Sequence, residues 1–141
     1  MFHSKLKKSF KTNLNIRLPQ NRPLTDSNIL YYVKKYNIRN FRGIFMRDTL
    51  PNSPPYKKEC GIVNYDSCNF NGTHWTAYRK ISSIIIYFDS MGDLRPPAEL
   101  LKYFGDKTVL YYNQERYQSP NSVICGQLCI KFLLYSQKYI R

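Results

Sequence analysis

Long hydrophobic runs are missing from this sequence. Runs such as Ile84–Phe88 fall far short of the roughly 20 apolar residues of a membrane-crossing helix, so no transmembrane segment is expected. A secretory leader is missing too, because Lys5, Lys7, Lys8 and Lys11 are followed by no apolar block. The chain therefore reads as intracellular rather than secreted. Acidic residues are scarce, with 9 Asp and Glu against 22 Lys and Arg and a net charge of +13. That balance excludes an acidic disordered tail and points to an anionic partner, whether nucleic acid, an acidic protein or a membrane surface.

Histidine is the rarest chemistry-bearing residue, present only as His3 and His74. His3 sits in the basic N-terminal stretch, so any reaction that needs an imidazole falls to His74. The four cysteines, Cys60, Cys68, Cys125 and Cys129, show neither a C-x2-C pair nor a matching histidine pair, so no metal site is expected. Without a secretory leader they are expected to be reduced.

What remains is enough for one domain: 141 residues, 43% hydrophobic and 16% aromatic. Residues 1–22 carry no sustained hydrophobic period and read as a basic, flexible arm. It is either a solvated tail or a nucleic-acid contact through Lys5, Lys7, Lys8 and Lys11. Residues 23–141 read as a single domain. Thr25 or Asp26 can cap a helix with apolar Ile29, Leu30 and Val33, ending near Asn37. The stretch 41–48 leads into Pro51, Pro54 and Pro55, which mark an irregular connection.

Three β-rich runs follow, residues 60–65, 73–79 and 83–89, with connections short enough for an antiparallel arrangement. Pro97 opens a short helix through Tyr103 that Gly105 stops, and residues 108–112 read as another strand. From Ile124 onward, Leu128, Cys129, Phe132, Leu133 and Tyr135 give a last helix with a broad apolar face. The expected class is α+β, a central, mostly antiparallel sheet packed on that helix.

Cys125 falls at the predicted start of the last helix, where unpaired backbone N–H groups favour a thiolate. Gly126 beside it leaves no side chain to block an approaching carbonyl. From this segment alone, a buried structural cysteine next to a capping glycine is the better reading. His74 is either a satisfied strand histidine or a base. Asp89 ends the next predicted strand, and two antiparallel neighbours can bring the end of one beside the start of the other. Its carboxylate could then hold one ring nitrogen while the other faces Cys125. Gln118 is either a surface glutamine or an amide donor to an oxyanion, a role whose loss costs about 3 to 4 kcal/mol of transition-state stabilisation. Trp75, the only tryptophan, is either core or a wall beside the imidazole that substrate meets.

The ordered set His74, Asp89, Gln118, Cys125 resembles adenain, the adenovirus endopeptidase, and the related ubiquitin-like-protein (SUMO) proteases. The motifs that carry it are Gly72-Thr73-His74-Trp75, Tyr87-Phe88-Asp89-Ser90-Met91-Gly92, and the run from Gln118-Ser119-Pro120-Asn121-Ser122 to Cys125-Gly126. The Asp-Ser-Met-Gly stretch looks like the SUMO proteases. The Gln-x-Pro-Asn-Ser-x-x-Cys-Gly stretch is similar to adenain, and Ile124 stands where SUMO proteases usually place an aspartate.

The resemblance implies a papain-like-related fold and a His-Asp-Cys triad: His74 as base, Asp89 orienting it, Cys125 as nucleophile and Gln118 in the oxyanion hole. It further implies a cysteine endopeptidase that processes capsid or core precursors of a DNA virus or a polinton- or adintovirus-type element. Such an enzyme would work as a monomer in the host nucleus or the virion, with no membrane partner and no cofactor for the chemistry. DNA and a short capsid-derived peptide are the activators that the resemblance implies. The rival readings are a protease that removes ubiquitin-like modifiers and a non-catalytic, basic nucleic-acid-binding domain.

Overall fold

The computed structural model describes residues 16–66, 74–92, 95–119 and 122–140. Lys5, Lys7, Lys8, Lys11, His3 and Cys68 lie outside the described residues. Helix α1 (Asp26–Lys35) begins where the sequence supplies a cap. Thr25 Oγ1 accepts from the Asn28 backbone N–H, and Asn28 Oδ1 accepts in return from the Thr25 N–H, both at 3.1 Å. This reciprocal box satisfies two of the orphan donors of the first turn. Asp26 in the first turn and Lys34 and Lys35 in the last also match the helix dipole. Ile29 and Val33, four residues apart, are buried, whereas Leu30 faces outward.

Five strands form one sheet in the order of the chain: β1 (Phe41–Met46), β2 (Lys58–Asn64), β3 (Trp75–Ile81), β4 (Ile84–Phe88) and β5 (Val109–Tyr112). The expected antiparallel pairing holds for β2, β3 and β4. The two outer pairings, β1 with β2 and β4 with β5, are parallel, so the sheet is mixed. Parallel neighbours need a crossover. Between β4 and β5 that crossover contains helix α2 (Ala98–Phe104), entered from Pro97 and ended by Gly105 at φ 89°. Between β1 and β2 it is the proline-bearing stretch 47–57, so the segment that leads into those prolines is an edge strand. Hydrophobic patterning reports strand character but not strand direction, which is why the parallel edges do not show in the sequence.

Helix α3 (Cys125–Tyr139) packs across one face of the sheet. Its Leu128, Cys129, Phe132 and Leu133 join Cys60, Ile62, Trp75, Ala77 and Phe88, together with Ile29 and Val33 of α1. On the other face Leu100 and Phe104 of α2 cover Val63, Tyr78, Ile85 and Tyr87. No helix among the described residues is long and apolar enough to cross a membrane.

Residues 16–22, read from the sequence as the end of a flexible arm, are docked on this core. Gln127, buried in α3, donates through Nε2 to the carbonyls of Pro19 (2.9 Å) and Arg22 (2.7 Å). The Tyr36 hydroxyl accepts from Arg17 N–H at 2.7 Å and donates to Arg17 O at 2.9 Å. A buried amide needs partners, and here an otherwise irregular segment supplies those of the Gln127 Nε2 group.

Candidate active site

The sheet register brings His74 and Asp89 together. Ala77 pairs with Phe88, so one step further along, residue 89 comes beside residue 76 and lies one diagonal step from residue 74. His74 itself lies just before β3 rather than within it, and its carbonyl accepts from Tyr65 N–H at 2.8 Å. Its Nε2 meets Asp89 Oδ1 at 2.5 Å. That leaves Nδ1 as the nitrogen free to face a thiol.

Asp89 is held from several sides. Its Oδ1 also accepts from Met91 N–H at 2.9 Å. Asn113, buried after β5, clamps its backbone: Oδ1 accepts from Asp89 N–H at 2.9 Å, and Nδ2 donates to Asp89 O at 2.6 Å and to Glu115 O at 2.9 Å. Asn113 does not stand out in the sequence. A lone asparagine between turn residues carries no periodic signal, and its partner lies 24 residues away.

Cys125 is the first residue of α3, as expected, and is buried. No side chain caps this helix start, and its first turn contains no acid. The unpaired N–H groups are therefore left to any negative charge formed there. The sulfur also accepts from the Trp75 backbone N–H at 3.4 Å, a contact that involves no side chain of Trp75 and that sequence reasoning missed.

The charge state of His74 follows from these neighbours. Burial opposes a charged ring, but the hydrogen bonds to Asp89 and Cys125 and their negative charge outweigh it. The imidazole pKa is pushed up to about 9, which favours the charged ring at neutral pH. The other described thiols have no such setting. Burial pushes Cys60 up to about 11 and holds Cys129, sealed in the core, well above the usual thiol range.

Gln118 is buried, not a surface residue. Its Oε1 accepts from the Ser90 hydroxyl, and its Nε2 donates to Ser122 O at 3.0 Å. The structure thus gathers His74, Asp89 and Cys125 directly and seats Gln118 through Ser90, the residue next to Asp89.

Trp75 follows the core reading of the two left open, and Gly126 sits differently from the expectation. The indole is buried and its Nε1 donates to Leu24 O at 3.0 Å, so it pins the chain before α1 to the sheet and does not present a surface to substrate. A Cβ placed on Gly126 would meet Leu24 Cβ at 3.2 Å and Trp75 Cδ1 at 3.3 Å. The missing side chain lets these two residues close on the helix start. It does not open a path for a carbonyl.

No protein-family model matches the sequence, and no curated protein matches it. Among solved structures, the SUMO protease Ulp1 with its catalytic cysteine oxidized to a sulfinic acid aligns with TM-score 0.57, covering 96% of this chain and 82% of that one at 18% identity. The ASFV pS273R protease aligns with TM-score 0.57, covering 99% of this chain and 70% of that one at 14% identity. This chain has the fold of these two proteases. The likeness of fold spans nearly the whole of this chain, well beyond the short motifs named in the sequence.

Proposed function

We propose that the chain is a cysteine endopeptidase of the adenain type, processing capsid or core precursor proteins of a DNA virus or virus-derived element. The observation that carries this reading is that His74 bonds the Asp89 carboxylate while the N–H of the next residue, Trp75, bonds the Cys125 sulfur at the bare start of α3. The Cys125 thiolate attacks the scissile carbonyl, and the oxygen that becomes negative is stabilised by the N–H groups of the helix start and the Gln118 amide. His74 gives its proton to the leaving amine. It then takes one from the water that hydrolyses the thioester, releasing the acid and restoring the ion pair.

DNA and a short capsid-derived peptide are the proposed activators, with Lys5, Lys7, Lys8 and Lys11 as the DNA contact and the host nucleus or virion as the setting. The +13 net charge supports that contact, and stimulation by DNA then fades as salt rises. A second reading, removal of ubiquitin-like modifiers, is favoured by the Asp89-Ser90-Met91-Gly92 stretch and by the backbone likeness to the SUMO protease Ulp1.

The test combines thiol labelling with turnover. Iodoacetamide is expected to modify Cys125 before Cys60 and Cys129, and His74→Ala to remove that preference. Fluorogenic peptides ending in glycine and ubiquitin-like modifier substrates, each with and without DNA, then separate the two protease readings. Cys125→Ala abolishes turnover in either case. Uniform slow labelling of all the cysteines together with no cleavage of any substrate, DNA present or not, overturns both.

A further inference from the structure

Two consecutive residues at the end of β4 serve opposite ends of the site. Asp89 reaches His74, while Ser90, fully buried, donates its hydroxyl proton to Gln118 Oε1. The Ser90 carbonyl also accepts from Tyr117 N–H at 2.7 Å, so the backbone just before Gln118 is tied to the same residue. On its other side, Gln118 Nε2 donates to the Ser122 carbonyl at 3.0 Å, on the loop that leads into Cys125.

A primary amide has one accepting end and one end with two protons. The reverse flip of Gln118 would set Oε1 against the Ser122 carbonyl, oxygen to oxygen. It would also put an acceptor where a negative oxygen has to be stabilised. Ser90 and Ser122 together select the single orientation in which one Nε2 proton is used by Ser122 and the other is left over.

We propose that Ser90 is a positioning residue, its hydroxyl fixing the Gln118 amide so that Nε2 is the donor on the oxyanion side. The assignment rests on the peptidase reading above. It gives Ser90 a role distinct from that of the neighbouring Asp89: one orders the base, the other the oxyanion donor. Because the two are adjacent in sequence, their relative placement is set by a single peptide unit clamped by Asn113.

The deciding experiment is a double-mutant cycle on the full chain. Ser90→Ala lowers kcat about tenfold with KM held within about twofold. In a Gln118→Ala background the same change has no further effect, because Ser90 acts through Gln118. An unchanged kcat in Ser90→Ala, or an undiminished second loss in the Gln118→Ala background, overturns the proposal.

A nitrogen-15 spectrum of the wild-type chain gives a readout that needs no turnover. The Gln118 side-chain amide protons exchange slowly with solvent if the amide is held. Exchange as fast as that of a solvated glutamine overturns the Ser90 assignment. Slow exchange that speeds up in Ser90→Ala, in a chain that cleaves nothing, upholds the Ser90–Gln118 contact and sinks the peptidase reading alone.

Discussion

Among the described residues two carboxylates are wholly or almost wholly buried, and they are used in opposite ways. Glu59 of β2 lies under α2 with both oxygens occupied. Oε1 accepts from Tyr56 N–H at 2.7 Å, and Oε2 accepts from the hydroxyls of Tyr78 at 2.5 Å and Tyr103 at 2.8 Å, with Arg42 Nη1 3.7 Å from Oε1. Burial first, and then Glu59 itself, push both tyrosine hydroxyls up, so they remain proton donors at any pH of interest. Asp89, at the open end of the sheet, spends Oδ1 on His74 and on one backbone N–H, and its Oδ2 has no hydrogen-bond partner among the described residues. A carboxylate surrounded by donors that never change charge holds structure together. One shared with an imidazole sets a proton where a reaction can use it.

The sharpest way to break this contrast is Asp89→Asn. The amide keeps the size of the side chain but not the charge, and kcat is expected to fall by about three orders of magnitude or more while the thermal midpoint barely moves. A fall in activity that merely tracks unfolding would make Asp89 another Glu59.

The converse is Glu59→Ala, which strands two tyrosine hydroxyls and a guanidinium. It is expected to cost about 3 kcal/mol of stability in urea titration, with kcat per folded molecule unchanged.

A pH series tests the same distinction. The His74 pKa lies above its ordinary 6.5, at about 9, so the stability it lends is complete below 6.5 and is lost as pH rises through 9. The turnover profile acquires an alkaline limb near 9 as the imidazolium disappears, and Asp89→Asn moves that limb to lower pH. A limb that stays put in Asp89→Asn would show that the carboxylate does not set the charge of the ring.

The smallest expected effect is Tyr103→Phe. It removes one of the three donors to Glu59 and costs about 1 kcal/mol with no change in activity, measured by the same urea titration.

The elements that follow local rules were legible in the sequence. Thr25 announces α1, Pro97 and Gly105 bracket α2, and the apolar periodicity after Ile124 puts Cys125 at a helix start. The meeting of His74 with Asp89 follows from strand lengths and a two-residue turn at Ser82 and Ser83. What did not show are contacts made by single buried polar side chains to distant partners: Asn113 on the Asp89 backbone, Gln127 on the carbonyls of residues 19 and 22, and Ser90 on the Gln118 side chain. Such a contact needs one residue of the right type at one place and leaves no pattern along the chain. Gly126 and the choice between the two readings of Trp75 were hidden for a related reason. Their neighbour Leu24 is about a hundred positions from Gly126, and only the assembled fold shows that it fills the space beside the helix start.

The tie between Gln127 and the carbonyls of Pro19 and Arg22 spans more than a hundred residues, 108 and 105 respectively, and Arg39 N–H bonds to Gln137 across 98. Contacts of such sequence separation are late events in folding, because the loop they close has to be ordered before they reward it. Helix α3 leaves the ribosome after every other described element and docks against the earliest ones. The thiol and its base, on α3 and at the head of β3, are therefore brought together in the closing step of assembly, and a nascent chain still lacking α3 carries the imidazole and its carboxylate but no nucleophile beside them.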